Sequence, residues 1–294
     1  MAAVNGLNTT SMNDLVHTEG IAPVILQPNE HRRVFQLIGW VLDASETGAN
    51  VLRIPGYDSI DVPSGTKTES DEQATYTDIT TSKADVTAGV VIVRSLLSDE
   101  LEQDGEIDPN AGLARQMVAM SKRMDKDLLA LHTSATNTSD STGVTLTLDL
   151  WDAAKTAYMA QLPVVGPGGF HAWVASPSQV GHLQTAIRTQ GGGSLSAGAG
   201  LGVFNGQPMV EYQGRYNGIE IFQGNVPQND ATNWSSAFLC AGPEGALAMG
   251  VWWAARGTAV RVEERTGAQL VTTSRYGVTI SRQANIREFI SKKT

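Results

Sequence analysis

Hydrophobic positions along the chain repeat with a helical period in some segments and a strand period in others, and polar stretches separate the two. The clearest helical segment is "DPNAGLARQMVAMSKRMDKDLLALHTSAT", where Leu113, Met117, Met120, Met124, Leu128 and Leu131 recur at spacings of 4, 3, 4, 4 and 3 residues. Those spacings place all six on one face of a helix. Asp108 suits the N-cap and Pro109 the first helical position, so a helix is predicted from 109 to about 134, roughly 39 Å long at about 1.5 Å per residue. Apolar Val34, Leu37, Ile38 and Val41 predict a short helix within "NEHRRVFQLIGWVLDAS". "NVLRIPGY" and "ADVTAGVVIVRSLLSDE" read as two strands of a long hairpin, the β-branched run Val90 to Val93 being expected in the interior. The hairpin tip, "DVPSGTKTESDEQATYTDIT", is almost wholly polar. An isolated two-stranded hairpin is marginal in water, so this one needs a surface to lie on.

After a Ser/Thr/Asn/Asp-rich linker, "TNTSDSTG", a second module is predicted. "DLWDAAKTAYMAQLP" is a helix with Leu150, Ala154 and Tyr158 on one face and Pro163 as its stop. "FHAWVASPSQVGHLQTAI" is a strand feeding a helix capped by Ser176, with Pro177 at its first position. "TQGGGSLSAGAGLGVFNG" is a Gly-rich loop, and "GIEIFQGNVP" and "SSAFLCAGPEGALAMGVWW" are strands and turns of the same module. Alternation at Val260, Val262, Val278 and Ile280 predicts strands near the C-terminus, whereas residues 1 to about 30 have no sustained period and read as an extended arm.

Composition changes this picture in one respect, the placement of charge. The chain of 294 residues carries a formal charge of -9, which argues against a general phosphate-binding surface. Between Leu42 and Asp108 stand 15 acidic and 4 basic residues, a net of -11; between Ala255 and Thr294 stand 8 basic and 3 acidic, a net of +5. Two such regions can complement one another within a chain or between neighbours. The single cysteine, Cys240, excludes an internal disulfide and suits a reducing compartment. No basic segment leads into an apolar one at the N-terminus, and no run approaches the roughly 20 apolar residues of a membrane span, so neither secretion nor membrane insertion is expected.

Motifs for chemistry are sparse. The Gly-rich segment at 191 to 202 lacks the G-K-[ST] ending of a phosphate loop, and the five histidines form no H-E-x-x-H pair. The carboxylates of "SDELEQDGEIDPN" lack calcium-loop spacing and read as a solvated acidic turn before a helix. Ser176 lies between His171 and His182 in sequence, which leaves a serine hydrolase as a weak alternative, although "SP" capping explains the serine better. No enzyme, cofactor or metal site is expected.

The order of elements is itself informative. A short helix, an acidic hairpin, a long helix ending "MDKDLLAL", a mixed module with the step "WVASPSQVGHL" and a returning strand region together resemble the major capsid proteins of tailed bacteriophages with the HK97 fold. The resemblance spans nearly the whole chain and implies an α+β fold with four parts. Residues 1–33 would be an N-arm and 47–86 the extended E-loop. Residues 34–46, 87–135 and 258–294 would form the peripheral domain with its spine helix, and 136–257 the axial domain, whose 190–206 segment would vary near the symmetry axes.

The same resemblance implies a structural protein that assembles into an icosahedral shell around double-stranded DNA without sequence-specific contacts. Its partners would be copies of itself in hexamers and pentamers, together with scaffolding, portal and decoration proteins. Its place would be the virion, after assembly in the bacterial cytoplasm. With no long N-terminal scaffolding segment in this sequence, scaffolding would come from a separate protein unless the sequence is a mature form. The E-loop residues Asp61, Lys67, Glu69, Asp71 and Glu72 are expected to contact a neighbour's Arg261, Arg265, Arg275 and Arg282. Lys67 is also placed where some relatives form an isopeptide link, although no Asn partner can be named. An encapsulin-type compartment is the alternative on the same fold.

Overall fold

The computed structural model describes residues 35–46, 48–57, 81–98, 109–191, 203–204, 207–208, 211–224, 232–262 and 267–293. The expected N-arm, the hairpin tip, most of the acidic turn before residue 109 and most of the Gly-rich segment lie outside them.

The apolar run after residue 34 divides into two elements rather than one helix: α1, Phe35–Ile38, and strand β1, Trp40–Asp43. A run this short suits either conformation, and its partner decides. β1 pairs in parallel with a strand some 200 residues later, Trp40 opposite Ala248 and Asp43 opposite Val251. β2, Val51–Tyr57, and β3, Thr81–Thr87, form an antiparallel hairpin root with Val51 opposite Thr87 and Tyr57 opposite Thr81. One residue later the chain starts β4, Gly89–Ser98, which leaves the hairpin and joins a different sheet.

The long helix is as the stripe predicts. Helix α2, Pro109–Ala130, continues into a 3-10 turn, Leu131–Ser134. Leu113, Met117, Met120, Met124 and Leu128 are all buried, the first two in a small cluster with Leu270 and the others in the main core against which Leu131 packs. Then follow β5, Thr138–Thr145; α3, Leu148–Met159; β6, Phe170–Ala175; α4, Pro177–Gly191; and the short pair β7, Val203–Phe204, and β8, Gln207–Pro208. The chain ends with β9, Tyr212–Tyr216; β10, Ile219–Gln223; β11, Asn233–Ala241; β12, Leu247–Val262; β13, Gly267–Ile280; and β14, Ile286–Lys292.

Two main sheets result. The first has the order β1-β12-β13-β4, the second β5-β14-β11-β6-β10-β9. α2 lies across one face of the first sheet. Gln116 fixes it there by donating to Ser95 Oγ and to the Leu270 carbonyl at 3.2 Å, and by accepting from Thr272 Oγ1 at 2.7 Å. Three bonds on one buried amide satisfy a group that would otherwise be costly in the interior.

The second sheet is covered on both sides, which is why β11 is buried along most of its length. On one face α3 and α4 bring Trp151, Ala154, Tyr158, Val180, Leu183 and Ile187 onto Trp173, Ile221, Phe238 and Phe289. On the other, the C-terminal half of α2 packs on Val174, Phe222, Leu239 and Ile286. Sheet membership differs from the expected domain boundaries at two places. The whole of β12, from Leu247, belongs to the first sheet, and β14 leaves the basic C-terminal region to pair with β11 and β5 in the second. Among the described residues no helix is long and apolar enough to cross a membrane.

Candidate assembly interface

The hairpin root is held to the first sheet by a small core and a cation clamp. Ile54 and Val86 are buried with Ala44, Ala248 and Trp252. Trp252 Nε1 donates to the Ala49 carbonyl at 2.6 Å, and the Ala88 amide donates to the Asn50 carbonyl at 2.8 Å. The Arg275 guanidinium lies 5.8 Å from the Trp252 ring centre and 5.2 Å from that of Trp253, while Nη2 donates to Asn50 Oδ1. A planar cation over two indoles, with a hydrogen bond to the hairpin's first residues, fixes direction as well as position.

The crossing is close because two cross-strand partners, Gly250 and Gly277, carry no side chain. A Cβ on Gly277 would run into the Thr87 carbonyl group, and one on Gly250 would press on Val86 and the Trp252 ring. Across the root, Arg53 Nε donates to Asp85 Oδ1 at 3.0 Å, which holds that carboxyl below the usual carboxylate range.

The face of the first sheet turned away from α2 carries the hairpin root at its Gly277 end and, among the described residues, is exposed along β4 beyond it. Strand registry puts three rows on it: Trp253, Arg275 and Val90; Arg256, Thr273 and Ile92; Thr258, Val271 and Arg94. Val90 is 55% exposed and Ile92 47%. The run Val90 to Val93 is therefore not buried throughout. Val91 and Val93 face the core and their neighbours do not, because β4 lies at the sheet edge with only one face covered. Arg256 sits 6.0 Å from the Trp253 ring centre, so this face combines apolar side chains with cations.

The candidates for chemistry are structural. Ser176 is buried and caps α4, its Oγ accepting from the Gln179 amide at 3.3 Å. His171 Nδ1 lies 3.0 Å from Tyr158 OH, itself 3.1 Å from Cys240 Sγ. Burial raises the Tyr158 phenol far above its ordinary range, raises the Cys240 thiol and lowers His171, so all three favour the uncharged form. A second grouping that sequence reasoning missed places Ser235 Oγ 2.6 Å from His132 Nε2 and 2.6 Å from Glu288 Oε1. All three are buried, and they tie the end of α2 to β11 and β14. No short-range spacing could have revealed residues 53 and 103 positions apart. Among the described residues no cluster of His, Cys, Asp and Glu is suited to a metal ion.

No protein-family model matches the chain, and no curated protein matches it significantly. Solved structures do. The chain is similar to the capsid of Ralstonia phage GP4, with a TM-score of 0.63 and 10% identity over 90% of this chain and 92% of that one. It is similar to the capsid of the native GTA particle, with a TM-score of 0.60 and 14% identity over 98% of this chain and 100% of the other. A structure from Mycobacterium phage Che8 follows at 0.57 and 16%, covering 89% of each chain. The chain has an HK97-like capsid fold.

Within this HK97-like fold the sequence-predicted contact residues separate. Asp61, Lys67, Glu69, Asp71 and Glu72 lie outside the described residues, as does Arg265; Arg261 falls in β12 opposite Ala268. Arg275 is the clamp of the hairpin root, and Arg282 follows β13, where Nη2 lies 3.9 Å from Glu244 Oε2. Both are thus engaged within their own chain. Arg94 and Arg256, which the charge count included without distinguishing them, share this sheet face with Arg275.

Proposed function

We propose that this chain is the shell subunit of a tailed-phage capsid, self-assembling in the host cytoplasm around double-stranded DNA. The observation that carries this reading is likeness of fold over essentially the whole length of a capsid subunit, 98% of this chain against 100% of the GTA particle's. The face of the first sheet turned away from α2 supports it, since an exposed row of Val90 and Ile92 beside cations is a surface suited to a partner. In this reading the acidic tip, with Asp61, Glu69, Asp71 and Glu72, lies over that face on an adjacent copy, near Arg94 and Arg256. Charge there gives register and specificity more than affinity.

Many weak copies of such contacts sum to a closed shell. The net acidic chain suits a container that does not grip its DNA, because neutralising phosphates would bind it tightly. Scaffolding, portal and decoration proteins would be its other partners. The capsids cited above favour this reading over a cargo-enclosing compartment on the same fold.

Negative-stain microscopy of the purified protein tests the proposal. Closed shells or capsomers support it, and a compact monomer at every concentration would contradict it. Deletion of residues 61–78 is expected to leave a folded subunit that does not assemble; loss of monomer folding would refute the intermolecular role of the tip.

A further inference from the structure

The second sheet carries an apolar prong at one end of α3 and an apolar groove at the other. The prong follows the helix. Leu162 is 81% exposed and Val164 56% exposed, on either side of Pro163. Leu162 has φ +52, the left-handed conformation that ends helices at glycine without cost but strains a leucine. The segment is nevertheless tied down. The Leu162 amide donates to the Met159 carbonyl at 3.0 Å, and fully buried Asn285 holds Val164 twice, accepting from its amide at 2.9 Å and donating to its carbonyl at 3.0 Å. A strained backbone, braced from beneath, presents two water-exposed aliphatic side chains, and the arrangement does nothing for the core of its own subunit.

The groove has a volume of about 330 Å³ and is lined by Thr145, Leu146, Thr147, His182, Thr185, Ala186 and Thr189. Its threonines make it less polar than their names suggest. Thr185 Oγ1 donates to the Gly181 carbonyl at 2.9 Å and Thr189 Oγ1 to the Thr185 carbonyl at 2.8 Å. Thr147 Oγ1 accepts from the Leu150 amide as the cap of α3. With those hydroxyls engaged inside the chain, their methyl groups join Leu146 and Ala186 as an apolar lining. A cavity of roughly 150 Å³ accepts a benzene-sized group, so this volume accommodates a leucine with a valine beside it.

Prong and groove cannot meet within one subunit, because Thr147 and Leu162 are separated by the length of α3, about 20 Å. We infer that the Leu162–Val164 prong of one copy seats in the α3–α4 groove of the next. Such a contact is head-to-tail, leaving a free prong on one copy and a free groove on the other, and it closes only as a ring or runs on as a filament. It rests on the shell-subunit reading and deepens it by naming a contact made between adjacent copies of the six-stranded module. The strain at Leu162 then has a purpose, since glycine would suit the backbone better but carry no side chain into the groove.

The experiment compares concentration thresholds for assembly, by sedimentation, for wild type, Leu162→Asp, Ala186→Arg, the double variant and Leu162→Gly. Each single charged variant is expected to raise the threshold about tenfold or more, since a charge replaces an aliphatic group in an apolar contact. The double variant is expected to recover most of the loss by pairing the two charges. Leu162→Gly is expected to melt higher than wild type as an unassembled subunit and yet assemble poorly, an opposition that a merely structural role for Leu162 does not produce. If wild type assembles and Leu162→Asp does so at the same threshold, or if the double variant is no better than the singles, the prong-and-groove contact is wrong while the shell reading stands. If wild type forms no assembly at any concentration, both fall.

Discussion

Replacing Gly277 by alanine tests whether the hairpin root is held by a close backbone crossing. A Cβ at this position would stand 2.8 Å from the Thr87 carbonyl carbon and 3.0 Å from Val86 Cγ1, where ordinary contact begins near 3.4 Å. The Thr87 carbonyl oxygen stands closer still, and both Thr87 atoms are backbone, so β3 and β13 must separate by about 1 Å or more. Overpacking of this kind costs about 1–3 kcal/mol. Restricting the unfolded chain returns about 0.5–1 kcal/mol, leaving a net loss of up to about 2.5 kcal/mol, or up to roughly 5 °C in melting temperature for a chain of this size. Gly181→Ala is the control. It makes the same chemical change in the interior of α4, where nothing lies within 4 Å, and should stabilise by about 0.5–1 kcal/mol. Both are read by thermal unfolding of the unassembled subunit, with sedimentation reporting assembly. Because the clash displaces the root that aims the hairpin, Gly277→Ala should also assemble less well than its stability loss alone explains. Equal melting temperatures for the two variants would refute the close-crossing argument.

Trp151→Ala removes a fully buried ring with its neighbours Trp173, Tyr216 and Phe238 at centroid distances of 6.0, 5.3 and 5.3 Å, and should cost about 3–5 kcal/mol by urea unfolding. Arg275→Lys keeps the charge but loses the planar stacking, so limited proteolysis should cut the hairpin root faster than in wild type although the fold persists. Burial holds His132 and His171 below the ordinary imidazole range, so the unfolded chain binds protons that the folded one refuses. Stability should therefore fall as pH drops below about 6.5, and His132→Gln should flatten that slope in urea titrations at pH 7 and 5. Buried Cys240, its thiol raised by burial, should react with a thiol reagent only as fast as the subunit opens.

What was legible in the sequence was whatever depends on near neighbours in the chain. The stripe from Leu113 to Leu131 announced α2 because side chains three and four residues apart share a face whatever the helix meets. The Ser176–Pro177 step announced a helix start because capping is a matter of three residues. The run Val90 to Val93 misled, since a β-branched tetrad reads the same whether a sheet is covered on one face or two. The short helix expected from Val34 to Val41 is present only as Phe35–Ile38; Val41 falls in β1, which is a strand by virtue of Ala248 to Val251 beside it.

The site divides along the same line. The sequence by itself determined that an acidic polar tip and a basic C-terminal region exist, and that the tip has too few apolar side chains to hold itself down. Charge and hydropathy are properties of residues and survive any folding. Tertiary structure alone decided where the described cations stand: β-strand registry carries Arg275 to the hairpin root and Arg94 with Arg256 to the face away from α2, while Arg282 turns to Glu244. It also decided that Leu162 and Val164 are exposed on the subunit and that the hydroxyls of Thr185 and Thr189 bond back to their own helix. Which face of an element is covered depends on partners distant in sequence, and no local pattern encodes a neighbour a hundred residues away.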